Sequence, residues 1–358
     1  MRNILLNPGP VSISEGVRNA MAAEDLCHRE VEFFELQDQV RAKLNAVYSL
    51  DQGRWIPTLL GGSGTTALEA MISSLLPVDA HVLVLENGVY GERLSKLTTI
   101  HKIQNTAIKQ SWKDAWQFDQ IESELSTGIY THVLAVQHET TTGRLNPVKH
   151  LAELCVRYEV SLLLDTVSSY GAEEIPFESE ALLACAATAN KCLHSIPGSC
   201  MVIARYEALE NAVNPPRSMT LNLALWADHQ KRQSTPFTPP VTSLLALNQA
   251  LNEFFQAGGQ SGRHARYLRL ANRVAKCLAK LGISPMLEDG ASSCVLRSYS
   301  LPSGLSYEQL HDGLKLRGFV IYAGQGALAS EMFRISTMGD ISDYDLGRLL
   351  VALEDVIG

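Results

Sequence analysis

The stretch Leu182-Leu183-Ala184-Cys185-Ala186-Ala187-Thr188-Ala189-Asn190-Lys191-Cys192-Leu193-His194-Ser195-Ile196-Pro197-Gly198 carries small apolar side chains into a single lysine and stops at Pro-Gly. A short apolar run ending in turn residues reads as a buried strand, with Lys191 at its exit. A lysine held there is partly desolvated, which disfavours the ammonium and brings the nucleophilic amine within reach. Such an amine forms an imine with an aldehyde. Earlier in the chain, Val160-Ser161-Leu162-Leu163-Leu164-Asp165-Thr166-Val167-Ser168-Ser169-Tyr170-Gly171 repeats the pattern with a carboxylate at the exit. An acid and an amine at the ends of two such strands can face one crevice from opposite sides.

Further strand-to-helix turns lie upstream. Leu59-Leu60-Gly61-Gly62-Ser63-Gly64-Thr65-Thr66-Ala67-Leu68-Glu69-Ala70-Met71 places a glycine-rich turn before a helix with Ala67, Leu68, Met71 and Leu75 facing inward. The unpaired amides and positive dipole end of that helix suit an anion. His81–Leu85 reads as a strand followed by the helix start Asn87-Gly88-Val89-Tyr90-Gly91-Glu92-Arg93. Tyr130–Val136 is another strand, ending in the hydroxyl-rich Gln137-His138-Glu139-Thr140-Thr141-Thr142-Gly143. Here His138 reads as a satisfied core or supporting histidine. This alternation is that of a doubly wound α/β sheet, in which ligands gather beyond the carboxyl ends of the strands.

After the helices 241–257 and 262–282 the pattern changes. The second helix shows an apolar stripe of Tyr267, Leu268, Leu270, Ala271, Val274, Leu278 and Leu281, read as core. Strands Ser293–Tyr299, Phe319–Tyr322 and Met332–Ser336 with helices Tyr307–Leu316 and Tyr344–Val356 make a compact α+β unit. Within it Arg334 is flanked by Phe333 and Ile335. A strand arginine in apolar company is expensive to bury without an anion, and guanidinium grips a carboxylate or phosphonate through paired hydrogen bonds.

Composition excludes several classes. The 358 residues carry 30 basic and 38 acidic side chains, a net charge of −8 spread without long runs of one sign, so neither nucleic acid nor an anionic membrane is an expected partner. The apolar stretches are short, and Arg2–Asn7 reaches a Pro-Gly-Pro turn too soon for a signal sequence, so a cytoplasmic protein is expected. The seven cysteines form no Cys-x-x-Cys pair; reduced thiols and no metal site are expected. Cys192 reads as packing rather than as a nucleophile.

Ala189-Asn190-Lys191-Cys192 with Pro197-Gly198, His138-Glu139-Thr140-Thr141-Thr142-Gly143 with Asn146-Pro147, Leu6-Asn7-Pro8-Gly9-Pro10 and Phe319-Val320-Ile321-Tyr322 together resemble the class V aminotransferases of the fold-type I pyridoxal phosphate enzymes, nearly from end to end. The resemblance implies a mostly parallel seven-stranded sheet between helices and a small C-terminal α+β domain: an arm over 1–20, a large domain over 21–260 and a small one over 261–358. It implies pyridoxal 5′-phosphate joined to Lys191, with Asp165 pairing the ring nitrogen. Ser63, Gly64 and Thr65 would hold the phosphate, Tyr90 would stack on the ring, Thr140 would reach the ring oxygen, and Asn190 would line the cofactor site. Thr238, in Thr235-Pro236-Phe237-Thr238-Pro239-Pro240, would cross to a partner's phosphate, implying a homodimer with active sites at the interface.

Arg334 would grip a 2-oxo acid's carboxylate, Pro8 and Gly9 would border the substrate, and Arg29 would approach an acidic group. The wording around Thr140 and Lys191 is nearest to members that move the amino group of 2-aminoethylphosphonate to pyruvate. His28-Arg29 with Glu32-Phe33 instead suits alanine– or serine–glyoxylate transfer. A lyase or desulfurase would need a cysteine on a mobile loop, and Cys294 lies in a strand-like run.

Overall fold

The computed structural model describes residues 2–358; Met1, the first residue of the expected arm, lies outside them. Seven strands build the central sheet: β1 Trp55–Gly62, β2 His81–Glu86, β3 Gln104–Lys109, β4 His132–Val136, β5 Ser161–Asp165, β6 Leu182–Thr188 and β7 Gly198–Arg205. Their spatial order is β1-β7-β6-β5-β4-β2-β3, and only β7 runs antiparallel to its neighbours. The mostly parallel α/β sheet expected from the sequence is therefore present. Because β6 and β7 are adjacent in both chain and sheet, Lys191 rides a hairpin, whereas Asp165 ends a strand that crosses over to its neighbour.

Alternation along the strands assigns side chains to two buried faces. Leu162, Leu164, Cys185 and Ala187 pack on one side with Leu36, Val40, Leu151, Leu247 and Leu251 of the helices Val31–Ala46, Val148–Arg157 and Val241–Gln256. Leu163, Ala184 and Ala186 face the other side, under Leu68, Met71 and Leu94 of Gly64–Leu75 and Val89–Ile100. Small residues on β6 let helix Gly64–Leu75 lie close above it. Both faces being covered, open space for a ligand is left at the carboxyl ends of the strands.

A second, three-stranded antiparallel sheet joins Leu296–Ser300, Met332–Ser336 and Tyr322–Ala323, backed by the helices Tyr307–Leu316 and Asp343–Ile357. Its core of Leu270, Val274, Leu278, Phe333 and Leu349 also takes in Ile4 and Leu6 from the chain start. Strand Ile4–Leu5 pairs in parallel with Phe319–Val320, so the N-terminal segment is an element of the small domain's packing.

Three expectations are corrected. The single strand Phe319–Tyr322 is two, because Val320 pairs with the N-terminal segment while Tyr322 pairs with Arg334. Leu268 is 40% exposed, its neighbour Tyr267 taking the buried position one helical step away. The strand placed at Ser293–Tyr299 begins at Leu296, since Ser293 and Cys294 are engaged by a side chain of the large domain described below.

Candidate active site

Lys191 follows β6 in a tight return, with His194 N donating to the Lys191 carbonyl and Ser195 N to that of Ala189. Its ammonium donates to the carbonyl of Pro8, which the arm brings across from the small domain. Gly9 fits against the same side chain: a Cβ there would stand 2.7 Å from Lys191 Cδ and Cε, and φ is +119°. Burial lowers the amine's pKa from 10.5 to about 8, and the fields of Arg334 and Arg93 act in the same direction against those of Cys192 and Asp165. The nucleophilic form is thus accessible near neutral pH.

Asp165 ends β5, in register with Ala186 on β6, and is 3% exposed. One carboxylate oxygen accepts from Val167 N at 2.9 Å, and the other has no hydrogen bond among the described residues. Burial pushes its pKa up to about 6, opposed by the Val167 N–H and the charges of Arg93 and Lys191. The acid and the amine are therefore within each other's field, in one crevice.

Ser63, Gly64 and Thr65 stand at the start of helix Gly64–Leu75, where Ser63 N donates to Thr66 Oγ1 at 3.1 Å. Gly64 lies against Val167, whose Cγ1 would be 2.4 Å from an added Cβ. Thr65 Oγ1 accepts from Arg93 at 3.1 Å, and the Arg93 guanidinium lies 4.7 Å from the Tyr90 ring centroid. Beneath Tyr90, buried Glu139 accepts from the N–H groups of Tyr90 and Gly91 and from the Thr141 hydroxyl, so a carboxylate caps helix Val89–Ile100.

Arg334, 2% exposed, reaches from the small domain: Nε donates to the Ala323 carbonyl at 2.8 Å and NH1 to that of Thr140 at 2.7 Å. Its remaining nitrogen has no hydrogen bond, and no carboxylate lies within ion-pair distance among the described residues. Thr140, Tyr90 and Glu139 surround it. A buried guanidinium held by two carbonyls and open on one side is a site for an anion.

These donors fit a phosphorylated aromatic aldehyde. The amine would meet its aldehyde, the half-satisfied carboxylate its ring nitrogen and the helix start its phosphate. His138 adds an orphan: Nδ1 faces the Ser168 carbonyl at 3.2 Å, but Nε2 is buried without a partner, so the histidine is not fully satisfied as expected. Burial lowers its pKa to about 4, which leaves it neutral but only a weak base near neutral pH.

The family model described as Aminotransferase class-V matches residues 17–294. The chain belongs to the class V aminotransferases. It is 33% identical to the 2-aminoethylphosphonate–pyruvate transaminase of Vibrio cholerae serotype O1, an alignment covering 99% of this chain and 97% of that one. It is 31% identical to the protein of the same name from Bacillus cereus, covering 99% and 98%. Among solved structures, the alanine–glyoxylate aminotransferase of Nostoc sp. superposes with a TM-score of 0.92 at 24% identity, covering 100% and 96% and showing the shared fold.

In this class V aminotransferase some expected site residues stand apart. Asn190 is half-buried and accepts from the Thr188 hydroxyl at 2.9 Å, beside the lysine. Thr238 and Arg29 are exposed, and no described hydrogen bond or ion pair ties either to the crevice. Pro8 and Gly9 meet Lys191 itself. Cys192 is buried against the Ser168 carbonyl, and burial pushes its thiol up to about 12, in keeping with packing. Sequence reasoning missed Arg93, Glu139 and Val167. Arg93 had a signal, its three-residue spacing from Tyr90 on a helix face; Glu139 looked like one more member of a hydroxyl-rich turn.

Proposed function

We propose that this aminotransferase carries pyridoxal 5′-phosphate at Lys191 and moves the amino group of 2-aminoethylphosphonate to pyruvate, giving phosphonoacetaldehyde and alanine. The observation that carries the reading is Arg334, a buried guanidinium with an open nitrogen and no carboxylate, within the field of Lys191. The names of the full-length relatives supply the donor and acceptor.

When bound, the cofactor supplies an aldehyde that takes up amines and a ring that stores the electron pair left when the donor carbon loses its proton. Lys191 would be placed to take that proton and to return one to the cofactor's own carbon, one base for both positions. Asp165 would pair the ring nitrogen. Ser63, Gly64 and Thr65 would hold the phosphate, Asn190 would line the same site, Thr140 would donate to the ring oxygen and Tyr90 would cover a ring face. Arg334 binds pyruvate's carboxylate in one half-reaction and the donor's phosphonate in the other, while Pro8 and Gly9 border the substrate and exclude water. Arg29 meets the acidic group from outside the crevice.

The same reading makes the enzyme a homodimer in which Thr238 completes the partner's phosphate site; its exposure and its lack of a side-chain hydrogen bond among the described residues support this. The division into arm, large and small domains at 1–20, 21–260 and 261–358 belongs to it as well. Seven free thiols favour a reducing compartment, the cytoplasm, and no helix among the described residues is long and apolar enough to cross a membrane.

The test is spectroscopic. Purified protein loaded with the cofactor should lose its imine absorbance on adding 2-aminoethylphosphonate and regain it with pyruvate. Loss with alanine or serine and recovery only with glyoxylate would replace this donor with the glyoxylate-type reaction.

A further inference from the structure

Arg93 touches two parts of the proposed cofactor site at once. Resting on that proposal, we infer that Arg93 is a positioning residue for the phosphate end of pyridoxal 5′-phosphate: it fixes the Thr65 hydroxyl as a donor to the phosphate and pins the Tyr90 ring over the pyridine.

The first part is hydrogen-bond direction. A guanidinium can only donate, so in the 3.1 Å contact between Arg93 NH1 and Thr65 Oγ1 the hydroxyl oxygen accepts. The hydroxyl's own proton is then free, and Thr65 is the second residue of helix Gly64–Leu75, in a first turn whose third amide is capped by Ser63. A threonine left alone in a helix often turns its proton back to a carbonyl one turn earlier; here the arginine helps commit it outward.

The second part is a cation–π contact. The guanidinium carbon lies over the Tyr90 ring, 4.7 Å from its centroid, a position that a planar guanidinium fills better than an ammonium. Arg93 thus links the start of helix Val89–Ile100 to that of Gly64–Leu75, fixing the angle between ring and phosphate cradle.

The third part is charge. No carboxylate lies within ion-pair distance of Arg93 among the described residues, so its positive charge is left to offset a phosphate dianion that the Ser-Gly-Thr turn meets only with neutral donors. The same field favours the ionised form of Asp165, against the burial that opposes it.

The test compares cofactor-free wild type, Arg93→Gln and Arg93→Lys in titrations with pyridoxal 5′-phosphate and with pyridoxal, which lacks the phosphate. Charge-assisted hydrogen bonds of this kind make the expected loss of pyridoxal phosphate affinity in Arg93→Gln roughly tenfold to a hundredfold, with pyridoxal much less affected. Arg93→Lys should restore part of the preference for the phosphorylated ligand, but not the dichroism of the bound chromophore, which reports the fixed ring. An unchanged ratio of the two affinities in Arg93→Gln, whether both are retained or both fall together, overturns the inference while leaving the function standing. Failure of the wild type to bind pyridoxal phosphate overturns both.

Discussion

At Lys191 two demands meet: the amine must be neutral to attack and must be aimed. Burial answers the first, bringing its pKa from 10.5 to about 8. In cofactor-free protein the rate of adduct formation with pyridoxal phosphate should therefore climb through about pH 8, and stopped-flow absorbance across pH 6–11 would show a midpoint near 10.5 if the side chain were ordinary. Gly9 answers the second. Alanine at that position would combine a φ of +119° with a Cβ driven into the lysine chain. A strain of about 1–3 kcal/mol must be relieved by moving one of them, so Gly9→Ala should slow the same reaction by roughly tenfold or more, with the midpoint pH little changed.

Helices and strands show how local composition set most of the architecture. The small-residue run at 182–188, the exit at Asp165 and the glycine turn before helix Gly64–Leu75 were all legible, because each burial pattern is written in adjacent residues. What was not legible are contacts between distant segments: the Val320 and Tyr322 partners, the Glu139 carboxylate under Tyr90 and Gly91, and the Arg93 bond to Thr65. No period or spacing encodes which element a side chain meets after folding. Arg29 illustrates the converse, a motif residue, expected to approach an acidic group, that the chain leaves exposed. Glu139 gives an element-scale expectation. Glu139→Ala removes a helix cap and strands three backbone N–H groups, those of Tyr90, Gly91 and Thr141, so chemical denaturation should show a loss of roughly 2 kcal/mol or more.

Between the domains, Glu173 of the large domain accepts from the Ser293 hydroxyl and from Cys294 N at 2.9 Å, and its second oxygen lies 3.4 Å from His264 Nδ1. Burial alone would raise its pKa, but these hydrogen bonds overcome it and hold the group at about 2 instead of 4.5. A depressed carboxylate contributes stability above its unfolded pKa and loses it as pH falls through the folded one. Wild type should therefore weaken between about pH 4.5 and 2, by about 3 kcal/mol in all, and Glu173→Gln should flatten that part of the acid-unfolding curve. A second link runs through the chain start. Ser336 N donates to the Leu6 carbonyl at 2.7 Å, and Leu6 N to that of Val320 at 2.8 Å, only two residues before Pro8 meets the lysine. The carbonyl that occupies the amine is thus sewn to the smaller lobe close by in the chain. Loading of the empty enzyme therefore has to break a bond that the smaller lobe helps to hold, and the release of that tether bears on its rate together with the amine's own protonation.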